Sequence, residues 1–266
     1  MIASIIIAFM TLFCQNFNQL PTYNPEYTVS YDTINGVGAI ASLPDSYDPK
    51  IENKFVIFFH GNSGPSKMLW DHEYVRSINV ELLKAGYVVI GSDYSLVQNW
   101  GNPQSVKETK ELIDFYQAKY NLEDQPYVYL SSMGGLTGLN SITQGVIKPK
   151  AVIGLFPAIN LRYLQQNKFV DQIDLAYGIK YGDSPGNKLD GYDPLSDNDG
   201  NLFKDIPFKI WSSKDDTIIE HQHHTQAFSD KINAIGGNVE VIEVTGEHGD
   251  LSHYRPKDVV KFFDKY

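Results

Sequence analysis

What most constrains this chain is an alternation. Short β-rich apolar runs take turns with helical patterns along almost its whole length. "YTVSYDT" (27–33) and "VGAIASLP" (37–44) read as a strand pair joined by the turn signal "ING". "KFVIFFHG" (54–61) is a continuous apolar run, as expected for a strand covered on both faces. Residues 66–85 then carry Val75, Ile78 and Leu82 on one helical face, with Gly86 placed to end the helix. "YVVIGSDY" (87–94) is the next strand. Ser105 and Glu108 form a capping-box pattern ahead of a helix bearing Val106, Leu112, Ile113 and Tyr116. "YVYL" (127–130), "AVIGLF" (151–156), "FKIW" (208–211) and "NVEVIEV" (238–244) read as further strands. "HTQAFSDKINAI" (224–235) is helical up to Gly236-Gly237, and Pro256 opens a last helix with Val259, Val260, Phe262 and Phe263 turned inward. Strand–helix alternation of this kind predicts an α/β fold: a predominantly parallel sheet covered by helices on both faces.

Residues 162–206 break the rhythm. They hold Tyr163, Phe169, Tyr177, Tyr181 and Tyr192 among Asn, Asp and Gly. That is long for a connection inside a compact domain, so we expect a small lid insertion there. Within it, "SDNDGN" (196–201) imitates a calcium loop. Leu195 and Ile206 stand where the EF-hand pattern needs acids, and a turn is expected instead.

Composition bounds function more than fold. With 266 residues and 42% hydrophobic content, the chain can bury one large core. A formal charge of −10 argues against nucleic acid or an anionic membrane surface as the main partner. The single cysteine, Cys14, rules out an internal disulfide and makes no thiol metal site. Residues 1–26 begin with the apolar run "MIASIIIAFMTLFC", which is short for a bilayer span and similar to the core of an export signal. No Lys or Arg precedes Lys50, and no small-x-small cleavage site follows. The alternative is a segment that packs on the domain, 27–266, or on a partner such as an envelope or a larger particle. Localisation stays open between export and the cytoplasm.

The chemistry is carried by four loops, each placed after a strand. "YLSSMGGL" (129–136) crowds two serines and two glycines into one corner. A serine is a poor nucleophile unless a base takes its proton, an acid orients the base and donors receive the oxyanion. Ser132, with Gly134 two residues on, suits a nucleophile on a strained strand-to-helix turn. Ser131 is the competitor. "FFHGNSG" (58–64) is a His-Gly loop. "WSSKDDTII" (211–219) offers Asp216, with Asp215 as its neighbour. "VTGEHGD" (244–250) offers His248, with His253 as runner-up. His221, His223 and His224 gather at a helix start, but no paired acidic helix accompanies them. They read as a solvated polar turn.

In order, these loops resemble the α/β-hydrolase family, esterase- and lipase-like serine hydrolases whose triad runs Ser…Asp…His. The resemblance covers roughly residues 36–266. It implies an α/β-hydrolase fold and a triad of Ser132 as nucleophile, His248 as base and Asp216 as its orienting acid. The backbone amides of Met133 and Asn62 would form the oxyanion hole, and His60 would hold the oxyanion loop. Leu130 stands where the family's G-x-S-x-G elbow has its first glycine, and Gly138 is the residue able to make room for it. The implied activity is a carboxylic ester hydrolase that needs no cofactor and no metal and acts on a small-molecule or polymer-borne ester. The same machinery serves thioesterases and peptidases. A binding or structural protein that kept the scaffold is the reading from another class, and Leu130 is the residue that speaks for it.

Overall fold

The computed structural model describes residues 27–62 and 64–266. The apolar segment 1–26, with the expected export signal or partner contact, lies outside the described residues. So does Ser63.

Eight strands form one sheet. In chain order they are β1 (Thr28–Ile34), β2 (Val37–Leu43), β3 (Phe55–Phe59), β4 (Val88–Ser92), β5 (Tyr127–Ser131), β6 (Ala151–Leu155), β7 (Pro207–Ser213) and β8 (Asn238–Val244). Across the sheet the order is β1-β2-β4-β3-β5-β6-β7-β8. β1 pairs antiparallel with β2, and β2 with β4; every pairing from β4 to β8 is parallel. β3 to β6 are buried along their full length, as the unbroken apolar runs require.

The helices are α1 (Met68–Asp71), α2 (Glu73–Lys84), α3 (Pro103–Tyr120), α4 (Gly134–Thr143), α5 (Leu161–Asn167), α6 (Val170–Ala176), α7 (Ala227–Ala234) and α8 (Pro256–Phe263). Strand alternation sends successive side chains to opposite layers. Phe55, Ile57, Phe59, Val128 and Leu130 pack with Leu112, Tyr116, Leu139, Phe228 and Ile232 of α3, α4 and α7. Val56, Phe58, Tyr127 and Tyr129 pack with Val75, Ile78, Leu82, Val259, Phe262 and Phe263 of α2 and α8.

Three local expectations are corrected. The helix read over 66–85 is two helices, because His72 takes an extended conformation (φ −97°, ψ 117°) and uses its side chain to cap α2 at the Val75 amide. The capping box at Ser105 and Glu108 does not form. α3 starts earlier, with Asn102 accepting from the Ser105 amide and Pro103 in the first turn, while Glu108 accepts from the Ser95 amide. The solvated histidine turn is largely buried, with His224 fully so and His221 nearly so.

The segment between β6 and β7 holds α5, α6 and a run of turns. Leu161, Leu164, Ile173, Tyr177, Ile179 and Leu189 form a third apolar cluster with Trp100, Met133 and Leu136. Of its aromatics, Tyr177 is buried and Tyr181 is 96% exposed. Residues 196–200 are irregular, with turn and bend geometry, and lead into a 3-10 turn at Asn201–Phe203; the Asn198 side chain accepts from the Gly200 amide.

Candidate active site

The corner at 129–136 is a sharp turn. β5 ends at Ser131 and α4 begins at Gly134, so the chain reverses within Ser132 and Met133. Ser132 sits at φ 49°, in the left-handed region that non-glycine residues seldom occupy. Hydrogen bonds on both sides hold it there. Its amide donates to Leu155 O (3.2 Å), and its carbonyl accepts from the amides of Gly135 (2.9 Å) and Ala158 (2.8 Å). Gly134 is required by close approach, since a β-carbon there would lie 2.2 Å from Phe59 O. At the preceding position of the pattern, Leu130 is 1% exposed and packs toward α4. A β-carbon on Gly138 would lie 2.3 Å from Leu130 Cδ2. The leucine therefore occupies space that Gly138 leaves.

From this turn a chain of hydrogen bonds runs across the carboxyl end of the sheet. Ser132 Oγ lies 2.9 Å from His248 Nε2, and His248 Nδ1 lies 2.7 Å from Asp216 Oδ2. Asp216 is 3% exposed. Its other oxygen accepts from the amides of Ile218 and Ile219, both at 2.9 Å. Burial alone would push this carboxyl up. The hydrogen bond and charge of His248, with the two amides, outweigh burial and hold it below the usual carboxylate range. An ionised Asp216 fixes the imidazole with its proton on Nδ1, leaving Nε2 to accept from the serine hydroxyl.

The competing residues are placed elsewhere. Ser131 is the last, buried residue of β5. Asp215 is exposed and accepts from the Gly246 amide at 3.1 Å. His253 is fully buried, with Nδ1 3.0 Å from Asp250 O.

The His-Gly loop lies opposite the serine. His60 is buried, which pulls its pKa down and keeps it neutral, and Nδ1 donates to Gly61 O (2.8 Å). The far end of the loop is tied by Asp93, whose Oδ1 accepts from the amide (3.0 Å) and hydroxyl (2.5 Å) of Ser66. Between these ties, the Asn62 side-chain amide donates to Gln172 Oε1 of α6 at 2.9 Å. Among the described residues, neither the backbone amide of Asn62 nor that of Met133 has a hydrogen-bond partner.

Gly61, Asn62, Ser132 and His248 line a cleft of about 590 Å³ whose walls include Trp100, Phe169, Ile218 and Tyr254. The rings of Trp100 and Phe169 meet at 4.6 Å.

Sequence reasoning missed three contributors. Phe156 turns its ring edge-to-face on His248 (4.5 Å) and on His253 (4.9 Å), from a backbone at φ 41°. The only sequence signal was the end of the strand run at Pro157. Asp93 looked like an ordinary residue after a strand, and Gln172 like any polar residue of a long insertion. The three clustered histidines go separate ways. His221 meets Ser212 Oγ and Gln226, His223 stacks on Tyr163, and His224 Nδ1 accepts from the amides of Ile159 and Asn160. Among the described residues, no group of three or more His, Cys, Asp or Glu side chains is placed to hold a metal ion.

The chain has the α/β-hydrolase fold: an eight-stranded, mostly parallel sheet with helices on both faces and the serine turn after β5. Solved structures resemble it over most of its length. A truncated carbohydrate esterase from gut microbiota superposes with a TM-score of 0.70 at 19% identity, covering 91% of this chain and 98% of the other. FphF, a fluorophosphonate-binding serine hydrolase of Staphylococcus aureus, gives 0.69 at 15% identity, over 90% and 97%. Carboxyl esterase 2 of the fungus Tuber melanosporum gives 0.66 at 18% identity, over 93% and 87%. No protein-family model matches the sequence, and no curated protein is recognisably similar to it.

Proposed function

We propose that this chain is a serine hydrolase that cleaves carboxylic esters through an acyl-enzyme. The observation that carries the reading is the unbroken relay Ser132–His248–Asp216, with Ser132 on a left-handed turn beside two unpartnered amides. Ser132 Oγ attacks the ester carbonyl carbon while its proton passes to His248 Nε2. The new oxyanion receives hydrogen bonds from the amides of Met133 and Asn62. Asp216 stabilises the imidazolium and stays ionised. Collapse breaks the C–O bond to the alcohol, which leaves with the proton from His248. A water then repeats the sequence on the acyl-serine, returning acid and free Ser132. Side chains thus supply the nucleophile, base and orienting acid, backbone amides supply the oxyanion donors, and solvent supplies the water.

Trp100, Phe169, Ile218 and Ile219 make one wall of the cleft apolar, which suits an acyl or aryl group. We assign the segment 162–206 as the lid over this wall, since it supplies Phe169. Structural neighbours described as carbohydrate esterase and carboxyl esterase are in keeping with an ester, and one described as a dipeptidyl aminopeptidase keeps the peptidase as the alternative. The reading as a non-catalytic binding protein drew on Leu130. The fit of that residue against Gly138 speaks for an elbow that accommodates the leucine, which favours the enzyme reading.

A panel of chromogenic esters of increasing acyl length, each with its matching anilide, tests the proposal. Turnover that peaks at a short or medium acyl chain is expected from a walled cleft. Turnover of amides but not esters would overturn the ester assignment.

A further inference from the structure

Resting on the assignment of the Asn62 amide to the oxyanion hole, we propose that Gln172 is a positioning residue for that donor. It acts from the insertion, across 110 residues of sequence, through the Asn62 side chain.

The oxyanion loop leaves β3 at His60 and reaches α1 with a glycine on each side of its middle, Gly61 and Gly64. Glycine-flanked backbone is cheap to bend, so the direction of the Asn62 amide depends on what ties the loop. His60 ties its start and Asp93 its end. Among the described residues, the hydrogen bond from Asn62 Nδ2 to Gln172 Oε1 is the one side-chain tie at its centre.

Gln172 suits this task because its helix is fixed independently of the loop. Ile173 is fully buried beside it. The Asn102 side chain donates to Ala176 O (2.9 Å), Gln165 donates to Asp174 (2.9 Å), and Tyr177 OH donates to Trp100 O (3.0 Å). The acceptor therefore has a set position, and Asn62 Nδ2 is held against it. An oxyanion donor works only if it is aimed before the charge develops. Misplacement of a reacting group by about 1 Å costs on the order of 100-fold. The tie thus contributes to the rate constant, while the substrate's binding surfaces are left intact.

The test compares Gln172→Met, Asn62→Ala, the double variant and Gln172→Glu with wild type and Ser132→Ala, using a chromogenic acetyl ester. Cutting the tie from either side is expected to lower kcat by roughly 10- to 100-fold, less than or comparable with losing a donor outright (about 10²–10³). KM should change less than about 2-fold. Affinity for a trifluoromethyl ketone, which forms a tetrahedral oxyanion on the serine, should fall by the same factor as kcat. The double variant should be no worse than either single one, because both remove one bond. Gln172→Glu keeps an acceptor in place and should stay within a few-fold of wild type. Wild-type kcat in Gln172→Met, a loss confined to KM, or losses that multiply in the double variant would overturn the inference. If Gln172→Met also lowers Tm, Asn62→Ala reads the same bond from the other side. Hydrolysis that survives in Ser132→Ala would instead sink the underlying triad assignment.

Discussion

Leu130 and Gly138 share one volume: the space a β-carbon on Gly138 would need is taken by Leu130 Cδ2, 2.3 Å away. The serine elbow of this chain is built by exchanging bulk between strand and helix. A large residue sits on β5 and a glycine answers it one turn into α4.

Trimming the leucine should therefore empty a cavity without freeing the serine. Leu130→Ala is expected to lose about 2–5 kcal/mol, as buried leucines do, with no gain in turnover. Gly138→Ala alone overpacks the site and costs about 1–3 kcal/mol. Combined, the two changes should cost less than their sum, because the new methyl enters the space the leucine leaves. Urea midpoints and kcat for the three variants check this. Faster turnover in Leu130→Ala at little cost in stability would mean that the leucine strains the elbow.

The two neighbouring aspartates divide sharply. Asp216 is buried against His248 and two amides, whereas Asp215 is exposed on the Gly246 amide. Asp216→Asn leaves the imidazole in the wrong tautomer and should lower kcat by about 10⁴-fold. Asp215→Asn should stay within a few-fold, as for other exposed carboxylates. Ester hydrolysis at pH 7 to 8 measures both, and equal losses would leave the acid unassigned.

His224 gives the fold a pH-dependent stability that is separate from catalysis. Burial, with a lesser contribution from His223, brings its pKa down to about 3, and Nδ1 accepts from the amides of Ile159 and Asn160. The unfolded chain binds the proton near pH 6.5, so it takes up more protons than the folded one between pH 6.5 and 3. The stabilisation is then complete above pH 6.5 and is lost as pH falls toward 3. From this group alone the wild type should lose about 2 kcal/mol between pH 7 and pH 5. In His224→Asn the side-chain oxygen takes over as acceptor and that portion of the slope should vanish. Parallel stability curves for the two proteins from pH 7 to 5 would show His224 to be uninvolved.

The sheet was legible because its signals are local. Val56 to Phe59 and Tyr127 to Leu130 are buried on both faces, and such runs read as strands in any context. That Ser132, Asp216 and His248 would come together was legible because each follows a strand, and the carboxyl ends of parallel strands gather on one edge of the sheet. What escaped depends on contacts between segments distant in the chain. Nothing near Ser105 tells that Asn102 will cap α3 instead. Nothing in "HQHHTQ" tells that His224 turns into the protein to accept from the amides of Ile159 and Asn160, just ahead of α5. Phe156 packs on His248 from 92 residues away in sequence, and Gln172 meets Asn62 from 110. A residue alphabet marks polarity and period but not the partner.

The most direct measurement locates covalent labelling by a fluorophosphonate. The wild type, Ser131→Ala and Ser132→Ala are exposed to the probe, and adduct formation is read by intact mass and peptide mapping. The account predicts one adduct per chain on Ser132 in the wild type and in Ser131→Ala, and none in Ser132→Ala with its thermal unfolding unchanged. An adduct on Ser131, or undiminished labelling of a folded Ser132→Ala protein, would contradict it.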